Sequence, residues 1–135
     1  MLEPAPPLYH RLGGHDVIAA VVDDLLSRML ADPRVNYYWR GKSRDTLRRE
    51  RQVMVEQVCA ATGGPTYYTG REMKAAHAGL GITGTEWDIF MAHVQAALDN
   101  FSVPPHARDE LLAIAQSLQG DIVEVPHQAA ADEPR

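Results

Sequence analysis

A chain of 135 residues fits one domain and is too short for two, and its 45% hydrophobic and 23% charged content suits a water-soluble fold. A formal net charge of −5 gives no global attraction to nucleic acid or to an anionic membrane, and the one arginine-rich run, Arg44 to Arg51, mixes four Arg with two carboxylates. One cysteine, Cys59, excludes an internal disulfide framework, and without a secretory leader or a bilayer-length apolar run the chain is expected to be cytoplasmic, with neither nucleic acid nor membrane as partner.

Both ends read as flexible segments: residues 1–7, with Pro4, Pro6 and Pro7, and residues 126–135, which lack periodicity. One domain is expected over 8–125. After Leu8-Tyr9-His10-Arg11-Leu12, the pair Gly13-Gly14 breaks the backbone. Apolar residues then recur at Val17, Ile18, Val21, Val22, Leu25, Leu26, Met29 and Leu30, a helical period that ends at Asp32-Pro33 because proline disfavours a helical residue before it. A second helix is expected from Arg44 to Thr62, with Leu47, Met54, Val55, Val58, Cys59 and Ala61 as its apolar positions and Gly63-Gly64-Pro65 as its stop. Trp87, Phe90, Met91, Val94, Ala97, Leu98 and Phe101 mark a third, with Thr85 and Asp88 as its capping pair. A fourth follows Pro104-Pro105 and presents Leu111, Leu112, Ala115, Leu118, Ile122 and Val123. No run alternates with period two, so the fold class is all-α: four amphipathic helices around one core.

Between the second and third helices lies a long connection poor in apolar surface. From Gly63 to Thr83 it carries five glycines, a run able to form one or two helical turns, and one histidine, His77, flanked by Ala76 and Ala78. Loops of that length within a domain are usually functional or disordered, and a lone imidazole between small residues suits presentation to a flat apolar group.

Leu8-Tyr9-His10-Arg11-Leu12-Gly13-Gly14, Leu30-Ala31-Asp32-Pro33-Arg34, Gly63-Gly64-Pro65, Tyr68-Thr69-Gly70-Arg71 and Ala76-His77-Ala78-Gly79-Leu80-Gly81-Ile82-Thr83 occur in register from about Leu8 to Val123. Together they make the chain resemble the truncated haemoglobins, most closely their first group. The resemblance implies a two-over-two helical sandwich enclosing one haem b, with the first globin helix nearly absent and the ligand-bearing helix cut to about a turn. It implies binding of oxygen, carbon monoxide and nitric oxide at iron held by His77, whose other ring nitrogen would meet the backbone carbonyl of Met73 one turn earlier.

On the opposite side the chain departs from that family. Leu26 stands where tyrosine is common, and the ligand-facing positions of the second helix fall on Glu50, Met54 and Val58, so the usual tyrosine and glutamine donors are missing. Oxygen at ferrous iron carries partial negative charge that a donor stabilises, whereas carbon monoxide needs one far less. Fast oxygen release and weak discrimination against carbon monoxide are expected unless Tyr37, Tyr38 or Gln57 reaches in. Met54 is either a sixth iron ligand through its thioether or ordinary core filler, and Glu50 is expected to face solvent at the pocket mouth. Tyr38 and Trp39 align with corner aromatics that wedge the haem, followed by a connection, Arg40 to Asp45, a few residues longer than is typical. Trp87 and Phe90 would pack on the haem, and Tyr68, Arg71 and Lys74 would meet its propionates at the rim.

No two histidines stand four apart on one helix, which argues against a zinc site. His15 reads as helix-start chemistry and His93 as a boundary residue of the third helix. Val53 occupies the position that gives some relatives a second axial histidine, and Cys59 reads as a small hydrophobe. The leading expectation is a gas-binding haem protein, monomeric or weakly dimeric, served by an unidentified reductase. The alternatives are a nitric oxide dioxygenase or weak peroxidase, a haem-based redox or gas sensor, and a haem-free helical interaction module.

Overall fold

The computed structural model describes residues 6–126, so Pro4, His127 and most of the two expected end segments lie outside the described residues. Helix α1, Leu8–Leu12, buries Leu8, Tyr9 and Leu12 and is held to a distant turn by the Tyr9 amide donating to the Thr62 carbonyl at 2.8 Å. It is one helix more than periodicity reveals, because five residues are too few to establish a period. Gly13 closes it at φ +113°, and a Cβ there would stand 2.5 Å from Val17 Cγ2, so only glycine can make this entry into the next helix.

Helix α2, Gly14–Ala31, buries Ile18, Ala19, Val21, Val22, Leu25 and Met29 on one stripe and ends at Asp32, before Pro33. Leu30, counted above with that stripe, is 40% exposed, as is Phe101 of the third stripe. A 3-10 turn over Asn36–Trp39 leads to α3, Arg44–Ala61, whose N-terminus is capped by Ser43 Oγ accepting from the Thr46 amide at 3.1 Å. After the glycine-rich connection come α4, Met73–His77; α5, Gly84–Asn100; α6, Pro105–Gln116; and α7, Gln119–Ile122.

Helix α2 packs against both α3 and α5, α5 packs against α6, and α1 bridges α2 and α6. Val35, Val55, Cys59, Ala97, Leu98 and Ala107 are almost fully buried at the centre of this two-over-two sandwich. Truncating a side chain such as Leu98 to alanine costs about 2–5 kcal/mol, transfer and cavity together.

Two sequence expectations are corrected. The capping pair of α5 is Thr83 with Glu86, a reciprocal box in which Thr83 Oγ1 accepts from the Glu86 amide and the Glu86 carboxylate accepts from the Thr83 amide, both at 3.0 Å. Thr85 already lies inside the helix. The fourth helix breaks at Ser117, whose hydroxyl donates to the Ile114 carbonyl at 2.6 Å and competes with the helical ladder, so Leu118 and Ile122 sit beyond α6. Among the described residues the only β-type pairing is one isolated parallel bridge, Thr83 with Val125.

Candidate functional site

The His77 side is built from backbone constraints. Gly64 lets the chain leave α3 tightly, since a Cβ there would stand 2.5 Å from Tyr9 Cδ1. Downstream, Gly70 passes close against α3, where a Cβ would meet Val53 Cγ1 at 2.6 Å. The Glu72 side chain accepts from the Ala75 amide at 3.0 Å and starts α4. At the other end of that helix, half-buried His77 has Nδ1 2.8 Å from the Met73 carbonyl oxygen. A carbonyl can only accept, so Nδ1 carries the hydrogen and the Nε2 lone pair is the ring's free donor.

The residues expected on the opposite side of a haem are apolar. Leu26 from α2, Met54 and Val58 from α3, Trp39 from the 3-10 turn and Phe90 from α5 are all partly buried and packed against the core. Trp87 is buried at 3% exposure, with its ring centroid 5.2 Å from that of Phe90 and its Nε1 3.4 Å from Gln116 Oε1. Glu50 is half-buried and paired with Lys42, a residue of the long connection before α3. The sequence expectation is that Glu50 faces solvent at the pocket mouth; here it is half-buried and tied to Lys42.

Neither corner tyrosine offers its hydroxyl to the apolar wall. Tyr37 and Tyr38 stack with ring centroids 4.4 Å apart, and both hydroxyls donate to Glu86, Tyr38 at 2.7 Å. Burial, together with the bonds to Tyr37 and Glu86, raises the Tyr38 phenol far above its ordinary pKa, so it stays protonated. Burial by itself would raise the Glu86 carboxyl, but the donors from Tyr37, Tyr38 and Thr83 outweigh it and hold the group below the usual carboxylate range. Trp39 meets Tyr38 edge-on at 6.5 Å. Gln57 lines a shallow cleft with Ala60, Ala61, Tyr68, Glu72 and Met73, on the side of the His77 connection.

At the rim, Arg71 and Lys74 are exposed, while Tyr68 is half-buried with its hydroxyl donating to the Arg71 carbonyl. Two polar groups escaped sequence reasoning because their partners are distant along the chain. The Glu124 carboxylate accepts from the Gly79 amide at 2.9 Å and the Gly81 amide at 2.7 Å, bonds that depress its pKa. Asp32 accepts from Arg34 and, across to α5, from His93 Nε2 at 2.8 Å, so His93 is a tether between two helices as well as a boundary residue. Arg34 first, then His93, lowers the Asp32 pKa.

The residues present fit a haem. One imidazole offers an oriented lone pair, apolar side chains from four elements pack partly buried against the core, and two cations, Arg71 and Lys74, stand exposed on and beside the His77 helix. Among the described residues no three His, Cys, Asp or Glu are grouped as a metal-ion site.

Comparison with known proteins agrees with this geometry. The family model for the bacterial-like globin matches residues 7–124. A group 1 truncated hemoglobin of Mycolicibacterium paratuberculosis is 35% identical over 120 residues, spanning 89% of this chain and 85% of that one. One from Synechocystis is 29% identical over 80% of this chain and 88% of its own length. Among solved structures, the 2/2 hemoglobin of Synechococcus, in the cyanomet state with covalently attached heme, superposes with a TM-score of 0.78 at 27% identity, covering 87% of this chain and 98% of that one. The truncated hemoglobin of Tetrahymena pyriformis in its Fe(III) form has a TM-score of 0.80 at 23% identity, with the same coverage.

Proposed function

Because the chain belongs to the bacterial-like globins and, among them, to the group 1 truncated haemoglobins, which bind haem and small gaseous ligands, we propose that it holds haem through His77 and binds oxygen, carbon monoxide and nitric oxide in an apolar pocket. The observation that carries this reading is the 2.8 Å bond from His77 Nδ1 to the Met73 carbonyl. It fixes the tautomer, turns Nε2 outward and raises the basicity of the ring, which is what a proximal iron ligand requires.

Haem iron, when bound, supplies the coordination position at which a diatomic gas is held. The rest is work for the chain's own side chains. Leu26, Met54 and Val58 exclude water but offer no N–H or O–H, and Tyr37 and Tyr38 spend their hydroxyls on Glu86. A gas in this pocket therefore gains van der Waals contact without a hydrogen bond from those residues. Tyr38, Trp39, Trp87 and Phe90 would wedge the macrocycle by packing, Arg71 and Lys74 would meet its propionates, and Tyr68, whose hydroxyl donates to the Arg71 carbonyl, would hold the backbone beside them. Met54 acts as pocket filler, the role that its packing against the core favours over iron ligation. The setting is cytoplasmic, with a reductase keeping the iron ferrous, and the protein acts as a monomer or weak dimer.

Nitric oxide dioxygenation and weak peroxidase activity are the second reading, and the donor-poor wall counts against the first of them because it requires oxygen to be retained. Absorption spectra of the ferric and ferrous protein, beside His77→Ala and Met54→Leu, test the assignment. A Soret band that His77→Ala shifts or abolishes and Met54→Leu leaves in place is the expected result. A low-spin ferrous spectrum converted to high-spin by Met54→Leu would instead make Met54 a ligand, and no Soret band at all would leave a haem-free helical module.

A further inference from the structure

Helix α4 is only five residues long, and a helix that short has no stability of its own. The direction of the His77 ring must therefore be set by whatever holds the backbone on either side. Upstream, that is the Glu72 cap. Downstream, Gly79 and Gly81 adopt φ of +84° and +68°, and their amides converge on one carboxylate, that of Glu124, at 2.9 and 2.7 Å. Amides of one short turn directed to the same side make an anion-binding concavity, here filled by the chain's own side chain.

Glu124 is itself firmly placed. Its amide donates to the Ile82 carbonyl at 2.9 Å, the Val125 amide donates to the same carbonyl at 3.1 Å, and the Gly84 amide donates to the Val125 carbonyl at 2.9 Å. Helix α4 also packs on α7, which ends two residues before Glu124. The loop after His77 is thus sewn to the end of the described chain by backbone bonds, and the carboxylate extends that seam to within two residues of the imidazole. Building on the assignment of His77 to iron, we propose that Glu124 is a positioning residue for the proximal ligand: its carboxylate fixes the 78–81 turn and thereby the orientation and strain of the His77 ring at the metal.

The test compares the haem-loaded protein with E124A, E124Q and, as a matched removal of a surface carboxylate, E110A, whose partner Arg11 lies on α1. Three readouts are taken: amide exchange at Gly79 and Gly81 in the ferrous carbon monoxide form, the iron–histidine stretching band of the deoxy ferrous form, and the rate of haem loss. E124A should speed exchange at both amides, shift the iron–histidine band and raise haem loss roughly tenfold, the usual size of a lost partner behind a metal ligand. E124Q keeps the side-chain length and one acceptor, so it should fall between, and it serves if E124A does not fold. E110A should change none of the three. Faster exchange with an unmoved band and unchanged haem loss would make Glu124 a loop staple only and overturn the proposal, as would equal effects in E110A. Absence of a Soret band in the unmodified protein would instead overturn the haem assignment, and this inference with it.

Discussion

The two sides of the proposed pocket are made of different materials. On the His77 side nearly every constraint is a hydrogen bond: Met73 to the imidazole, Glu72 to the α4 terminus, Glu124 to the turn beyond it, and Glu86 to Thr83 where the loop enters α5. On the opposite side Leu26, Met54 and Val58 contribute contact alone, and the nearby polar groups are tied up, Glu50 by Lys42 and the corner tyrosines by Glu86. Hydrogen bonds have direction and packing has little, so one side can hold a ligand atom in a defined orientation while the other mainly excludes water. On the reading proposed above, His77 is held by directed bonds, while a bound gas would meet apolar contact alone.

That contrast can be broken at graded cost. The largest effect belongs to His77→Gly, which should weaken haem retention by more than about a hundredfold, beyond what loss of a supporting partner causes, with exogenous imidazole restoring the ferrous spectrum. Next is Gly64→Ala, where the new methyl meets the Tyr9 ring at 2.5 Å. Urea unfolding should show a loss of about 1–3 kcal/mol from this overpacking. Thr83→Ala removes the α5 cap and should lower stability by about 1 kcal/mol, with fluorescence-detected unfolding as the check. The last effect lies away from the pocket, at Asp32, and shows as a change of slope with pH. Its folded pKa is depressed by Arg34 and His93, so its contribution is complete above the unfolded carboxylate value of roughly 3.9 and is lost as pH falls through the lower folded value. Asp32→Asn should therefore flatten the fall in melting temperature below about pH 4.

Local physics was legible in the sequence and distant pairing was not. The stripes of α2, α3 and α5 follow from apolar spacing, and the stop at Asp32-Pro33 follows from proline sterics. The His77 tautomer could be anticipated because its partner, Met73, lies four residues back on the same turn. Glu124 and Gly79 are 45 residues apart, and no period or motif announces that a carboxylate will fold back onto two glycine amides. The capping residue lies two positions earlier than expected: Thr83 with Glu86 three residues on is the fuller capping-box pattern, and the choice of Thr85 with Asp88 passes over it. Tyr38 lies in the 3-10 turn before α3, and the direction of its hydroxyl depends on Glu86, a residue that the pairing of Thr85 with Asp88 passes over.

The most direct test of the contrast is the oxygen dissociation rate of the ferrous protein, measured by stopped-flow displacement beside Leu26→Tyr. A single added donor contributes about 0.5–1.5 kcal/mol, which is up to roughly tenfold in rate. The unmodified protein should release oxygen quickly, and Leu26→Tyr should slow release by up to that factor. Slow release from the unmodified protein, with Leu26→Tyr making no difference, would mean that a donor already serves the gas and that the apolar wall is not what governs binding.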